Sequence, residues 1–156
     1  MQIIIHELRE LVQNYSQKIN AIPDHDFFAK PNPLKWSKIE VLGHLIDSGQ
    51  NNLRRFICAQ HEPTPPWIVY NQDFWVAANN YRNAKKEDII QLWALVNDRI
   101  CEVLTTMAQG DYHKECNTGI ETPQFHSLEW LAQDYVKHLK HHLNQILPGS
   151  FNIVYP

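Results

Sequence analysis

Four stretches of this chain repeat their apolar residues at three- and four-residue steps, and no long stretch alternates them at every second position. Such a chain must bury helical faces against one another. The first stretch runs from about Ile3 to Ile19, with Ile4, Leu8, Leu11, Val12, Tyr15 and Ile19 on one side. The prolines of "IPDHDFFAKPNPLK" cannot continue it. The second starts at "KWSKIEVLGHL": Ser37 is the N-cap, Glu40 three residues on closes a capping box, and Trp36 is placed to staple onto Val41. It extends to about Ala59, where "HEPTPPW" ends it. The third spans roughly Lys86 to Met107 and turns Ile89, Trp93, Val96, Ile100 and Leu104 inward. The fourth follows Ser127, another N-cap, and is terminated by Pro148 and Gly149.

Between the second and third stretches, residues 61–83 form a long crossover carrying Trp67, Tyr70, Phe74, Trp75 and Tyr81, with a short helix predicted around Asp73 to Asn79. The pattern predicts an all-α fold, a four-helix bundle with a long crossover between helices 2 and 3, as a single domain over residues 1–156. A chain of 156 residues buries such a core without disulfides. Cys58, Cys101 and Cys116 are odd in number, widely spaced and without a C-x-x-C, which suggests neither a disulfide framework nor a thiolate zinc knuckle, and Cys58 and Cys101, inside helical patterns, read as reduced small residues. A formal charge of -3 offers no basic face, which speaks against nucleic acid as a partner. The opening "MQIIIHELRE" has too short an aliphatic run for a signal or a membrane span, so no membrane partner and a cytoplasmic location are expected.

The fourth helix contains an anomaly. In "YVKHLKHHLNQI" three histidines fall within five residues. Burying an imidazole requires a partner for each ring nitrogen, so a cluster of them is costly without a function. On a helical wheel centred on Leu128, Tyr135, Leu139 and Ile146, His142 lies about 40° from the centre and His138 about 80° on the same side, while His141 lies about 140° away and faces outward. His138 and His142, one turn apart, can reach one ion at about 2.0 to 2.1 Å. A catalytic site of this kind takes a third protein ligand and keeps a position open. The candidate is His44 in "EVLGHLIDS", at the edge of the second helix's apolar stripe.

Ser48, Asn51, Asn52 and Arg55 share the neighbourhood of His44 as a polar seam that suits a cleft wall. Asp47, Gln145 and Asp134 each stand one turn from a candidate ligand and are candidates to hold ring N–H groups. The plain alternative is that His138 and His142 are surface or packed residues, since nine histidines make some clustering accidental. Other chemistries find no support: the chain has no Glu-x-x-His pair, no H-E-x-x-H, no Gly-rich phosphate loop and no G-x-S-x-G elbow.

At "KWSKIEVLGHLIDS" and "YVKHLKHHLNQI" together the chain resembles the DinB-like superfamily of four-helix bundles. Trp36, Ser37, Glu40, His44, Leu45, Asp47 and Ser48 match one family pattern, and His138, His142, Gln145 and Ile146 match the other. The resemblance implies a divalent metal ion held by His44, His138 and His142 and completed by water; neutral imidazoles accept zinc, nickel, copper or iron, with zinc, nickel or iron the leading choices. It also implies metal-dependent hydrolase activity or, in some relatives, transfer to a low-molecular-weight thiol such as bacillithiol or mycothiol. A small-molecule substrate and a homodimer follow from the same likeness. Three functions are therefore carried forward: a hydrolase activating water, a thiol S-transferase, and a non-catalytic metal-binding stress-response module.

Overall fold

A computed structural model describes residues 1–155. Six helices carry the fold: α1 (Gln2–Asn20), α2 (Asp24–Phe27), α3 (Lys38–His61), α4 (Gln72–Asn79), α5 (Lys86–Thr106) and α6 (Leu128–Ile146). Four of them, α1, α3, α5 and α6, make the bundle. Both α1 and α3 pack against α5 and α6, so α1 stands diagonally opposite α3. That arrangement puts the predicted site's two helices, α3 and α6, side by side.

The helix starts follow local chemistry. At Ser37 the capping box forms, with the Glu40 carboxylate accepting the backbone N–H of Ser37 at 2.7 Å and its hydroxyl at 2.6 Å. Burial pushes the Glu40 carboxyl up, but the hydrogen bonds from Ser37 and the Lys30 ammonium outweigh it and hold the group below its usual value. At Ser127 the hydroxyl accepts the backbone N–H of Trp130.

The predicted inward residues of α5 are all buried, Trp93, Ile100 and Leu104 almost completely. In α1 the phase is shifted by one residue at the start, so that Ile5 enters the core and Ile4 is only half-buried. Each such fully buried aliphatic contributes about 1.5–3 kcal/mol.

Two glycines set how closely α3 is approached. A Cβ on Gly43 would stand 2.0 Å from the ring of Tyr81, and one on Gly49 would stand 2.7 Å from Val96 and 3.1 Å from the Tyr135 hydroxyl. Glycine at 43 therefore lets the crossover close onto α3, and glycine at 49 lets α5 and α6 do the same.

The loop before α6 departs from the all-helical expectation in one small element. It contains an antiparallel pair, β1 (Glu115–Asn117) and β2 (Phe125–Ser127), in the register Glu115 with Ser127, Cys116 with His126 and Asn117 with Phe125. The Asn117 side chain accepts the backbone N–H groups of Gly119 and Gln124, which fixes the turn. Its backbone bonds Pro66 and Ile68, tying the crossover to this hairpin.

After α6 the chain turns back. Asn144 and Phe151 exchange two hydrogen bonds, Phe151 stacks on Tyr15 at 5.2 Å, and Tyr155 reaches Asp134. No helix of the described residues is long and apolar enough to cross a membrane.

Candidate metal centre

His44 is carried by the N-terminal third of α3, and His138 and His142 by the C-terminal half of α6. Because α3 and α6 are neighbours, the three rings meet: each offers a nitrogen, and these nitrogens all lie within 4.8 Å of one another. The Nε2 atoms of His44 and His138 are 3.2 Å apart. Two nitrogens bound to a common ion at about 2.0–2.1 Å and tetrahedral angles stand about 3.3–3.4 Å apart, so the donor set fits a cation.

The protonation states fit as well. Burial draws His44 down to about 3, with the charge of His142 adding to the effect. His138 is held well below its ordinary value, first by burial and then by His142, His44, His141 and Arg55. His142 is also lowered by burial, although its bond to Gln145 acts the other way. All three rings are therefore neutral near pH 7, which is the form that donates a lone pair to a metal.

The supporting residues divide into two groups. Gln145 sits between two rings, its Oε1 2.9 Å from His142 Nδ1 and its Nε2 3.2 Å from His141 Nε2. With the amide oxygen on Nδ1, the proton of His142 belongs there and its Nε2 keeps the lone pair. Ser48 lies 3.4 Å from His138 Nδ1 through its hydroxyl. His141 stays outside the three-ring cluster, its ring 4.9 Å from that of His142.

Asp47 is engaged elsewhere. Its Oδ1 accepts the Tyr81 hydroxyl at 2.6 Å and the Asn79 amide at 2.9 Å, and burial raises the carboxyl to about 6 against those bonds. Among the described residues, the buried Nδ1 of His44 has no hydrogen-bond partner. Asn51 likewise turns its amide back to the Asp47 carbonyl. Asp134 accepts the Tyr155 hydroxyl on both oxygens rather than holding the His138 ring.

Three aromatic residues that the sequence did not place beside the candidate ligands complete the surroundings. Trp36 lies over the His44 imidazole, with ring centroids 4.9 Å apart, and screens that buried ring. Tyr81 anchors Asp47. Tyr155 brings its ring to within 5.5 Å of the His138 ring. Trp36 had a signal, since the residue before a capping box faces the helix's first turns; Tyr81 was legible only as one of the crossover's aromatics, and Tyr155 arrives through long-range folding with no signal.

Space opens on both flanks. Beside His142 a cleft of about 520 Å³ is walled by Trp36, Val41, Gln72, Asp73 and Gln145, with Lys35 and Lys38 at its rim. Beside His138 a smaller, strongly polar cavity of about 150 Å³ is bounded by Ser48, Asn52, Arg55, Tyr70 and Asp134. The polar seam read on α3 thus reaches a cavity through Ser48, Asn52 and Arg55.

Comparison with known proteins gives a consistent picture. The model of the DinB superfamily matches residues 7–146. YfiT of Bacillus subtilis (strain 168), whose name places it provisionally among metal-dependent hydrolases, is 24% identical over 147 residues, covering 91% of this chain and 79% of YfiT. The solved structure of YfiT, reported as a probable metal-dependent hydrolase with an unusual four-helix bundle topology, aligns with TM-score 0.83 and 23% identity over 93% of this chain and 82% of that one. A mycothiol-dependent maleylpyruvate isomerase aligns with TM-score 0.73 and 10% identity, over 91% of this chain and 59% of the isomerase.

Proposed function

This chain belongs to the DinB superfamily, and on that premise we propose that it is a divalent-metal-dependent hydrolase of small molecules whose cation is held by His44, His138 and His142. The observation that carries this reading is the meeting of three neutral imidazoles from two helices beside a cleft. When bound, the cation supplies Lewis acidity that brings a water or thiol to its anionic form near neutral pH. Zinc, nickel and iron all suit an imidazole set, and availability decides among them.

The chain's own residues do the positioning. Gln145 fixes the tautomer of His142, and Trp36 keeps water from His44. The cleft beside His142 admits the substrate, with Gln72 and Asp73 on one wall and Lys35 and the Asp26-paired Lys38 also lining it, a mixed lining that favours polar molecules. Ser48, Asn52 and Arg55 line the second cavity beside His138.

One observation favours a second reading, in which a low-molecular-weight thiol replaces water as nucleophile. Among the described residues, the three rings have no carboxylate hydrogen-bonded to them: their polar neighbours are one another, Ser48 and Gln145. Water attack gains from a general base, whereas a thiolate needs none. The isomerase of similar fold is named for its dependence on mycothiol.

The test is turnover of a panel of small esters, amides and electrophiles by protein purified without chelators, with and without bacillithiol, glutathione or coenzyme A. The expected result is activity that chelation abolishes, a divalent cation restores and added thiol does not change. Turnover that requires the thiol establishes the second reading instead. Stoichiometric metal with no turnover leaves a metal-binding module.

A further inference from the structure

We propose that Arg55 is a specificity-determining residue that receives a carboxylate of the substrate in the small cavity beside His138. The inference rests on the reading of His138 as part of the reactive centre, and it adds a substrate class: small carboxylic acids, or their esters and amides, with the reactive bond a few atoms from a free carboxylate.

Arg55 is half-buried, and among the described residues no carboxylate comes within 4.0 Å of its guanidinium. Asp134 lines the same cavity but does not pair with the guanidinium directly, so the N–H groups that face this space are left to an anion supplied from outside. The protein holds the group in place through neutral acceptors. Nε and Nη2 both donate to the carbonyl oxygen of Ile68, at 3.1 and 2.8 Å, and Nη1 donates to Asn52 Oδ1 at 3.3 Å. A guanidinium has five N–H groups; three are used, and two remain, one on each Nη. A pair of N–H groups on the two Nη atoms forms the fork that a carboxylate accepts.

The cavity's size and charge narrow the class. About 150 Å³ is roughly five times the liquid volume of a water molecule, enough for a carboxylate and its neighbouring carbons but not for a large head group. Asp134 lines the same cavity, its oxygens bonded by Tyr155. A monoanion can pair with Arg55 there, while a phosphate dianion would meet the Asp134 charge with its second one. His138 forms a wall of the same space, so a carboxylate on Arg55 places its adjacent atoms next to the metal-binding rings. A third cavity, of about 400 Å³, shares Arg55 and Tyr70 and extends along Asn71 and Gln72, leaving a path for the rest of the molecule.

The experiment uses the full chain loaded with zinc and follows the Arg55 Nε–H resonance by nuclear magnetic resonance during titration with succinate, with succinamide and inorganic phosphate as comparators. The expected result is a saturable shift with succinate, at least tenfold weaker binding of the other two, and at least tenfold weaker succinate binding by calorimetry in Arg55→Gln, with Arg55→Lys intermediate. Because the resonance is read in the unmutated protein, a variant that fails to fold does not affect the outcome. Repeating the titration after chelation separates the claims: succinate still bound at Arg55 leaves this inference standing even if the three histidines prove to hold no cation. No saturable shift of Arg55, unchanged succinate binding in a folded Arg55→Gln, or phosphate bound as tightly as succinate would each overturn it.

Discussion

The Nε2 atoms of His44 and His138 face each other at 3.2 Å across the contact between α3 and α6. Two imidazole nitrogens at this separation share either a proton or a cation. A shared proton accounts for two rings only, and the third, His142, lies with its centroid 4.6 Å from that of His44 and 4.5 Å from that of His138. A cation accounts for all three.

Metal content therefore discriminates among the histidines. Removing even a group that merely orients a ligating histidine costs about 10- to 100-fold in affinity, so His44→Ala, His138→Ala and His142→Ala are each expected to lose roughly 100-fold or more and to emerge from chelator-free purification without stoichiometric metal. His141→Ala, outside the cluster, keeps it. Elemental analysis of the purified variants checks this. Loss of the ion from His141→Ala with retention in His138→Ala would reverse the assignment of faces on α6.

Gln145 is exposed and contributes little to packing, yet it sets which nitrogen of His142 carries the proton. Gln145→Ala is expected to leave thermal stability nearly unchanged and to weaken cation affinity by about 10- to 100-fold. Gln145→Glu, which keeps an acceptor on Nδ1, retains most of the affinity. Competition with a chromophoric chelator measures both, and equal affinities in wild type and Gln145→Ala would remove Gln145 from the site.

Gly43 tests the anchoring of the crossover. A methyl group there must displace the Tyr81 ring, which stands 2.0 Å from the added carbon, and with it the hydroxyl that donates to Asp47. Overpacking of this kind costs about 1–3 kcal/mol. Gly43→Ala is expected to lower the urea midpoint accordingly, and Gly43→Ala combined with Tyr81→Ala should recover part of the loss. A midpoint equal to that of wild type would show that the crossover is not held here.

What could be read in the sequence was what short-range chemistry determines. Ser37 with Glu40 and Ser127 announce their helices because a cap is complete within four residues. The spacing of His138 and His142 is likewise a property of one helix, and the partnership with His44 needed only that α3 and α6 be neighbours. The hairpin of Glu115–Asn117 with Phe125–Ser127 escaped notice because three-residue strands carry no measurable alternation. Asp47 was read as a partner for His44 because it lies one turn away, but Tyr81 and Asn79, 34 and 32 residues distant, claim its Oδ1. That Arg55 forms no ion pair although Asp134 lines the same cavity was equally invisible, since it depends on where Ile68, Asn52 and Asp134 fall in space.

The burial that keeps the three imidazoles neutral also predicts how the cation-free protein responds to acid. His44 is lowered to about 3 from 6.5, and His138 and His142 are lowered from the same starting value, in each case first by burial. As pH falls through 6.5 the unfolded chain takes up protons that the folded chain refuses, so this contribution to stability is complete above pH 6.5 and is lost progressively below it. Asp47 acts in the opposite sense. Its folded value of about 6 exceeds 3.8, so between these values the folded chain binds a proton that the unfolded chain does not, and acidification favours the fold. Each fully mismatched proton changes stability by about 1.4 kcal/mol per pH unit. Three imidazoles against one carboxylate give a net loss, expected as a urea midpoint that declines from pH 6.5 to 4.5 in chelator-treated protein. Asp47→Asn removes the opposing proton and should make that decline steeper, even if its overall stability differs. A midpoint that stays flat across this window would mean that the rings accept protons inside the fold, and rings that do so are not the neutral, desolvated donors that a cation requires.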